Sequence, residues 1–153
     1  MGSNNIFESF KHAIDGIEEA LKAERNLKIH FTIGLIVLIV SFFLNISYID
    51  MLWLIFAVFS VIGAELINTL VEGLMDVYSN EYNPMIKFVK DVAAGIVLWY
   101  SIFAVVVGVV IFGKELFGWK ETAGNILAVA FLVLFPSIVF WEAVRRNGRN
   151  KSD

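Results

Sequence analysis

Residues 51–76 read MLWLIFAVFSVIGAELINTLVEGLMD, and the order of those residues decides the fold class. No residue from Met51 to Ala64 carries a charge; Glu65, Asn68, Glu72 and Asp76 then follow. Spacings of 0, 3, 7 and 11 residues put these four within about 80° of one another on a helix turning 100° per residue. A helix that enters from a membrane and ends in acids holds groups that are costly at that depth. Its default reading is a functional site for a cation, a proton or a phosphate.

The rest of the chain agrees with a membrane setting. Of 153 residues, 58% are hydrophobic and only 18% charged, far from the balance of a water-soluble globule. Cysteine is absent, which excludes disulfides and thiolate metal sites, and His12 and His30 are too few for a histidine zinc site. A net charge of −3 without a dense basic patch argues against nucleic acid as a partner. Phe31–Ile49, Met51–Met75, Val92–Gly113 and Thr122–Trp141 are the expected spans, each long enough for a bilayer core about 30 Å thick. Asp50 is expected to mark the first turn, and Ser79, Asn80, Asn83 and Pro84 the polar connection within Val77–Lys90. Pro136 falls inside the fourth span, where a membrane helix tolerates it.

Asn4–Arg25 is different in kind. Ile6, Phe7, Phe10, Ile14, Ile17 and Leu21 form one apolar stripe, while Glu8, Lys11, Asp15, Glu18, Glu19 and Lys22 take the other face. That pattern predicts a helix lying along the membrane surface. The expected fold is therefore an all-α integral membrane protein: a surface helix, three core spans and a fourth, C-terminal span.

Orientation follows from the basic residues. Lys11, Lys22, Arg25 and Lys28, then Lys87 and Lys90, then Arg145, Arg146, Arg149 and Lys151 share one side of a four-span chain, against Lys114 and Lys120 on the other. Both termini and the Val77–Lys90 segment are expected in the cytoplasm, with the acid stripe near that face. At the same depth lie Glu24 and Lys28 at the entry to span one, and Lys90 and Asp91 at the entry to span three. Hard divalent ions favour one or two carboxylates plus substrate phosphates, and a neighbouring lysine offsets phosphoryl charge. Glu65, the deepest acid, is best placed to meet a hydroxyl presented from the lipid as general base.

Glu65-Leu-Ile-Asn68-Thr-Leu-Val-Glu72, followed by Asp76, resembles the central signature of the prokaryotic diacylglycerol kinase family, which includes the undecaprenol kinases of Gram-positive bacteria. Glu24-Arg-Asn26-Leu-Lys28-Ile-His30 and Lys90-Asp91-Val-Ala-Ala-Gly95 resemble its other two blocks, and Phe10-Lys-His-Ala-Ile-Asp-Gly16 its surface helix. The likeness runs over roughly residues 5 to 113, and the Glu-Asn-His pattern of the first block resembles the Gram-positive branch. It implies a homotrimeric lipid kinase core within residues 1–113 that uses ATP and Mg²⁺ at the cytoplasmic face of the cell membrane, with sites shared between subunits. Residues 114–153 form an extra segment, expected to be a packing helix and a basic tail. Carried over by motif, Glu65 is the catalytic base and meets the lipid alcohol together with Ala94. Glu24 and Glu72 hold the metal. Lys90 contacts the ATP phosphates beside Asp76, with Asp91, Asn68 and Lys28 ordering the site, and Glu81, Tyr82 and Asn83 meet the nucleoside. Asn83 stands where the family commonly has His, and the surface helix lacks the arginine some relatives use for ATP.

The expected activity is phosphorylation of a membrane lipid alcohol, undecaprenol first and diacylglycerol second. A cation-coupled transporter subunit is the alternative from another class, but it needs a polar path across the membrane, and the outer halves of these spans have almost no polar groups. Gly108-Val-Val-Ile-Phe-Gly113-Lys114 ends in Glu115 where a phosphate loop needs Ser or Thr, and no strand precedes it. Ala104-xxx-Gly108 and Gly124-xxx-Ala128 instead suggest close helix packing.

Overall fold

The computed structural model describes residues 6–79 and 81–149, with the side chains of residues 146–149 left aside. Asn4, Asn80 and the basic side chains Arg146, Arg149 and Lys151 of the sequence reading lie outside that description. Among the described residues there are five helices: α1 (Ile6–Ala23), α2 (Arg25–Phe42), α3 (Tyr48–Tyr78), α4 (Pro84–Phe117) and α5 (Glu121–Arg149). The last four are each long and apolar enough to cross a membrane. The protein is an all-α, multi-pass membrane protein.

Helix α3 is the hub. It packs against α2 and α4, α5 packs on α4, and α1 touches α2 and α3. Small and branched side chains make the core, among them Leu27 of α2, Leu54, Ala57, Val61 and Ala64 of α3, and Ala93, Val97 and Val106 of α4. Alanines at these positions let the backbones approach, which drives association where lipid removes the hydrophobic incentive. Most other large apolar side chains face outward, as lipid-facing helices require.

The ends of the helices differ from the sequence reading in instructive ways. Span one was expected to run to Ile49, but α2 stops at Phe42, where the N–H groups of Phe43 and Leu44 reach back three residues to Val40 and Ser41. Apolar Phe43, Leu44 and Ile46 continue the hydropathy through a turn, because hydropathy reports transfer to lipid and not backbone conformation. Asp50 is not the turn. It lies in the first turn of α3, where Ser47 is the cap: the Asp50 N–H donates to Ser47 Oγ at 3.1 Å and Ser47 Oγ donates to the Asp50 carboxylate at 2.7 Å.

The Val77–Lys90 segment is mostly helical, broken only between Tyr78 and Pro84. Asn83 caps α4 by accepting from the Met85 N–H at 2.8 Å, with Pro84 in the first helical position. The polarity there comes from α3 and α4 leaving the apolar layer while still helical. At 31 and 34 residues these helices span about 46 and 51 Å, more than the hydrocarbon thickness. Helix α4 ends at Gly118, whose left-handed φ of 63° turns the chain so that the Trp119 ring covers Gly113. At this far end Lys114 bridges to Asp50 at 3.1 Å, tying α4 to the start of α3. Of the two small-residue pairs, Gly124 does pack closely on Val110, whereas Gly108 faces open space.

Candidate active site at the junction of α1, α2 and α3

Glu24 sits on the break between α1 and α2 in an extended conformation, with φ −98° and ψ 121°. Its N–H still closes α1 by donating to the Ala20 carbonyl at 2.9 Å, yet its carboxylate does not cap α2. A glutamate in a cap position whose side chain leaves the cap is available for other chemistry. Lys28, one turn on, donates to the Lys22 carbonyl at 2.9 Å. It ties the last turn of α1 to α2, a cation on the carbonyl end of a helix, so its ordering effect is on the α1–α2 junction.

Glu65 lies on the face of α3 turned into the bundle and is only 3% exposed. Across the α2–α3 interface His30 Nε2 lies 3.2 Å from its Oε1. Asn68, also buried, donates its amide to Glu72 Oε1 at 2.8 Å, one turn further along the same face. The Asn68 carbonyl oxygen is buried without a hydrogen-bond partner among the described residues. Glu24, Glu72 and His30 are all close enough for their charges to act on Glu65. Of the groups expected in one pocket, Asn68 and Glu72 are joined on the Glu65 face of α3, while Glu24 lies at the start of α2 with no hydrogen bond or ion pair to them among the described residues.

The remaining expected residues form a neighbouring group. Asp76 pairs with Lys90, which joins the end of α3 to the start of α4. Asp91 pairs with Lys87 on its own helix, and both are well exposed. No hydrogen bond or ion pair among the described residues ties this group to Glu65. Glu81 and Tyr82 are exposed in the connection, and the Glu81 N–H donates to Ser79 Oγ at 3.1 Å. Asn83 has its side-chain oxygen committed to the α4 cap. Ala94 is exposed beside buried Ala93.

Sequence reasoning noticed His30 within a motif but did not assign it to the site. The available signal was that His30 follows Glu24 by six residues, so both lie within two turns of the α2 start. Among the described residues no three carboxylates and imidazoles come close enough to enclose a metal by themselves. The donor set suits a different use of an ion. Glu24 and Glu72 are the carboxylates, and the buried Asn68 carbonyl the amide oxygen, that could serve an oxygen-loving ion completing its shell with phosphates.

Membrane-crossing helices that bury an acid against an imidazole define an integral membrane protein with a polar site within its bundle. The profile of the prokaryotic diacylglycerol kinase family matches residues 11–112, and the chain belongs to that family. It is 33% identical over 113 residues to undecaprenol kinase of Bacillus subtilis, covering 74% of this chain and 92% of that one. It is 34% identical over 105 residues to a diacylglycerol kinase of Synechocystis sp., covering 68% of this chain and 60% of that protein. The protein is a lipid kinase.

Proposed function

We propose that the enzyme transfers the γ-phosphoryl group of ATP to undecaprenol at the cytoplasmic face of the cell membrane, with diacylglycerol as the second choice. The observation that carries this reading is Glu65: a buried carboxylate in a membrane helix, held by an imidazole and set about two turns deeper than Glu72. A lipid alcohol reaches the site from the apolar layer and the nucleotide from water, and this depth difference suits both. Glu65 accepts the hydroxyl proton as the alcohol oxygen attacks the γ-phosphorus in line. Glu24 and Glu72 would hold Mg²⁺, with the Asn68 amide keeping the Glu72 carboxylate in place. The bound ion supplies charge neutralisation across the phosphates.

Lys90, oriented by Asp76, meets the phosphates. Asp91 orders that end of α4, and Glu81, Tyr82 and Asn83 border the nucleoside. Ala94, small and exposed, borders the lipid. The distribution of basic residues supports the cytoplasmic orientation. The exposed apolar stripe of α1, with Ile6, Phe10, Ile14 and Ile17, supports a helix lying on the membrane surface; the proposed functional unit is a homotrimer, as the resemblance to the family implies. Undecaprenol takes precedence because the Glu24, Asn26 and His30 pattern resembles the Gram-positive branch and the Bacillus subtilis relative is matched over 92% of its length.

The test uses purified protein in lipid, labelled ATP, and undecaprenol or diacylglycerol supplied separately. Undecaprenol is expected to be labelled faster, only with magnesium present, and Glu65→Gln is expected to lower turnover by about 10²- to 10⁴-fold in a folded protein. Full activity in EDTA, or wild-type rates in Glu65→Gln, overturns the reading.

A further inference from the structure

We propose that His30 is a positioning residue for the reaction: its Nε2–H holds one carboxylate oxygen of Glu65 so that the other is presented to the lipid hydroxyl. This inference rests on Glu65 being the base. Glu65 has three rotatable side-chain bonds and is buried on α3, and burial alone leaves its carboxylate plane undetermined. The imidazole supplies what is missing. It comes from α2, lies 3.2 Å from Glu65 Oε1 and is itself only partly exposed, at 27% of its side chain. No protein partner for the second oxygen of Glu65 is found among the described residues.

The position of His30 adds a second argument. It is the polar residue at one end of a cavity of about 400 Å³ between α2, α3 and α4, otherwise lined by apolar side chains such as Ile33, Leu54, Val61 and Phe112 together with Ser101. His30 therefore stands where an apolar space meets the acids. A donor fixed there turns the free oxygen of Glu65 in the direction from which a lipid alcohol arrives. The proton of the attacking hydroxyl goes to Glu65.

The experiment compares His30→Ala and His30→Gln with wild type in lipid, reading kcat and the KM for ATP separately, together with thermal unfolding. His30→Ala is expected to lower kcat by about 10- to 100-fold, the usual cost of losing a group that orients a functional side chain, with the KM for ATP unchanged. His30→Gln, which keeps an N–H donor, is expected to regain most of the loss. In a Glu65→Gln background His30→Ala is expected to cost less than threefold, because the group it orients is gone. Wild-type kcat in His30→Ala, no recovery in His30→Gln, or the same fold loss in the Glu65→Gln background each overturns the inference. If His30→Ala does not fold, His30→Gln against His30→Met carries the comparison, and equal rates overturn it. A Glu65→Gln enzyme with wild-type turnover instead removes the base itself, so the two failures are distinguishable.

Discussion

Asn68 spends its amide on Glu72 and keeps a buried carbonyl oxygen without a partner among the described residues. A buried polar atom left this way carries a desolvation penalty unless something binds it, and the adjacent carboxylates suggest an ion or its water. Asn68→Leu removes the donor at similar volume. The half-saturating magnesium concentration is expected to rise and turnover to fall by about 10- to 100-fold, read from magnesium titrations of activity. An unchanged magnesium response shows that Glu72 does not depend on Asn68. At this scale the sequence was informative but one-sided. The acid stripe was legible because 3, 7 and 11 residues along one helix are local arithmetic. The His30–Glu65 pair was not, since it joins residues on different helices whose relative rotation no spacing encodes.

Among the elements, α2 and α3 meet closely at Gly34. A Cβ built there lies 2.6 Å from Val58 Cγ1, and a β-branched side chain in a helix has little freedom to withdraw. Gly34→Ala is expected to destabilise the fold by about 1–3 kcal/mol through overpacking, seen as a lower unfolding midpoint in detergent. Because this interface also sets His30 against Glu65, activity should fall with it. Gly73→Ala is the control: open space surrounds that position, and alanine is the better helix former, so the midpoint should stay or rise. The caps tell how much of each element the sequence carried. Asn83-Pro84 and the Ser47-x-x-Asp50 box are local signals that match the helix starts. The end of α2 was misplaced by seven residues because Phe43, Leu44 and Ile46 are as apolar as the helix before them.

Over the whole molecule, the family match ends at residue 112, and α5 lies beyond it. Helix α5 packs on α4, and no candidate site residue lies on it. Four spans return the chain to its starting side, so the proposed arrangement can be read from outside the cell. The chain has no cysteine, which makes any introduced thiol a clean reporter. In intact cells a membrane-impermeant maleimide is expected to label Lys120→Cys, and to label Lys87→Cys only after permeabilisation; both positions are exposed. The reverse pattern would put the acid site on the outer face and separate it from cytoplasmic ATP.

By itself the sequence determined the membrane class, the helices that cross, the amphipathic character of the first helix and the face that holds the acids. Those properties are sums over neighbouring residues, and a local pattern carries them in full. Only the tertiary structure decided that Lys28 closes the preceding helix and that an imidazole from α2 meets the deepest carboxylate of α3. These depend on the rotation and register of separate helices, which are set by packing such as Gly34 on Val58 and written in no single stretch of the chain.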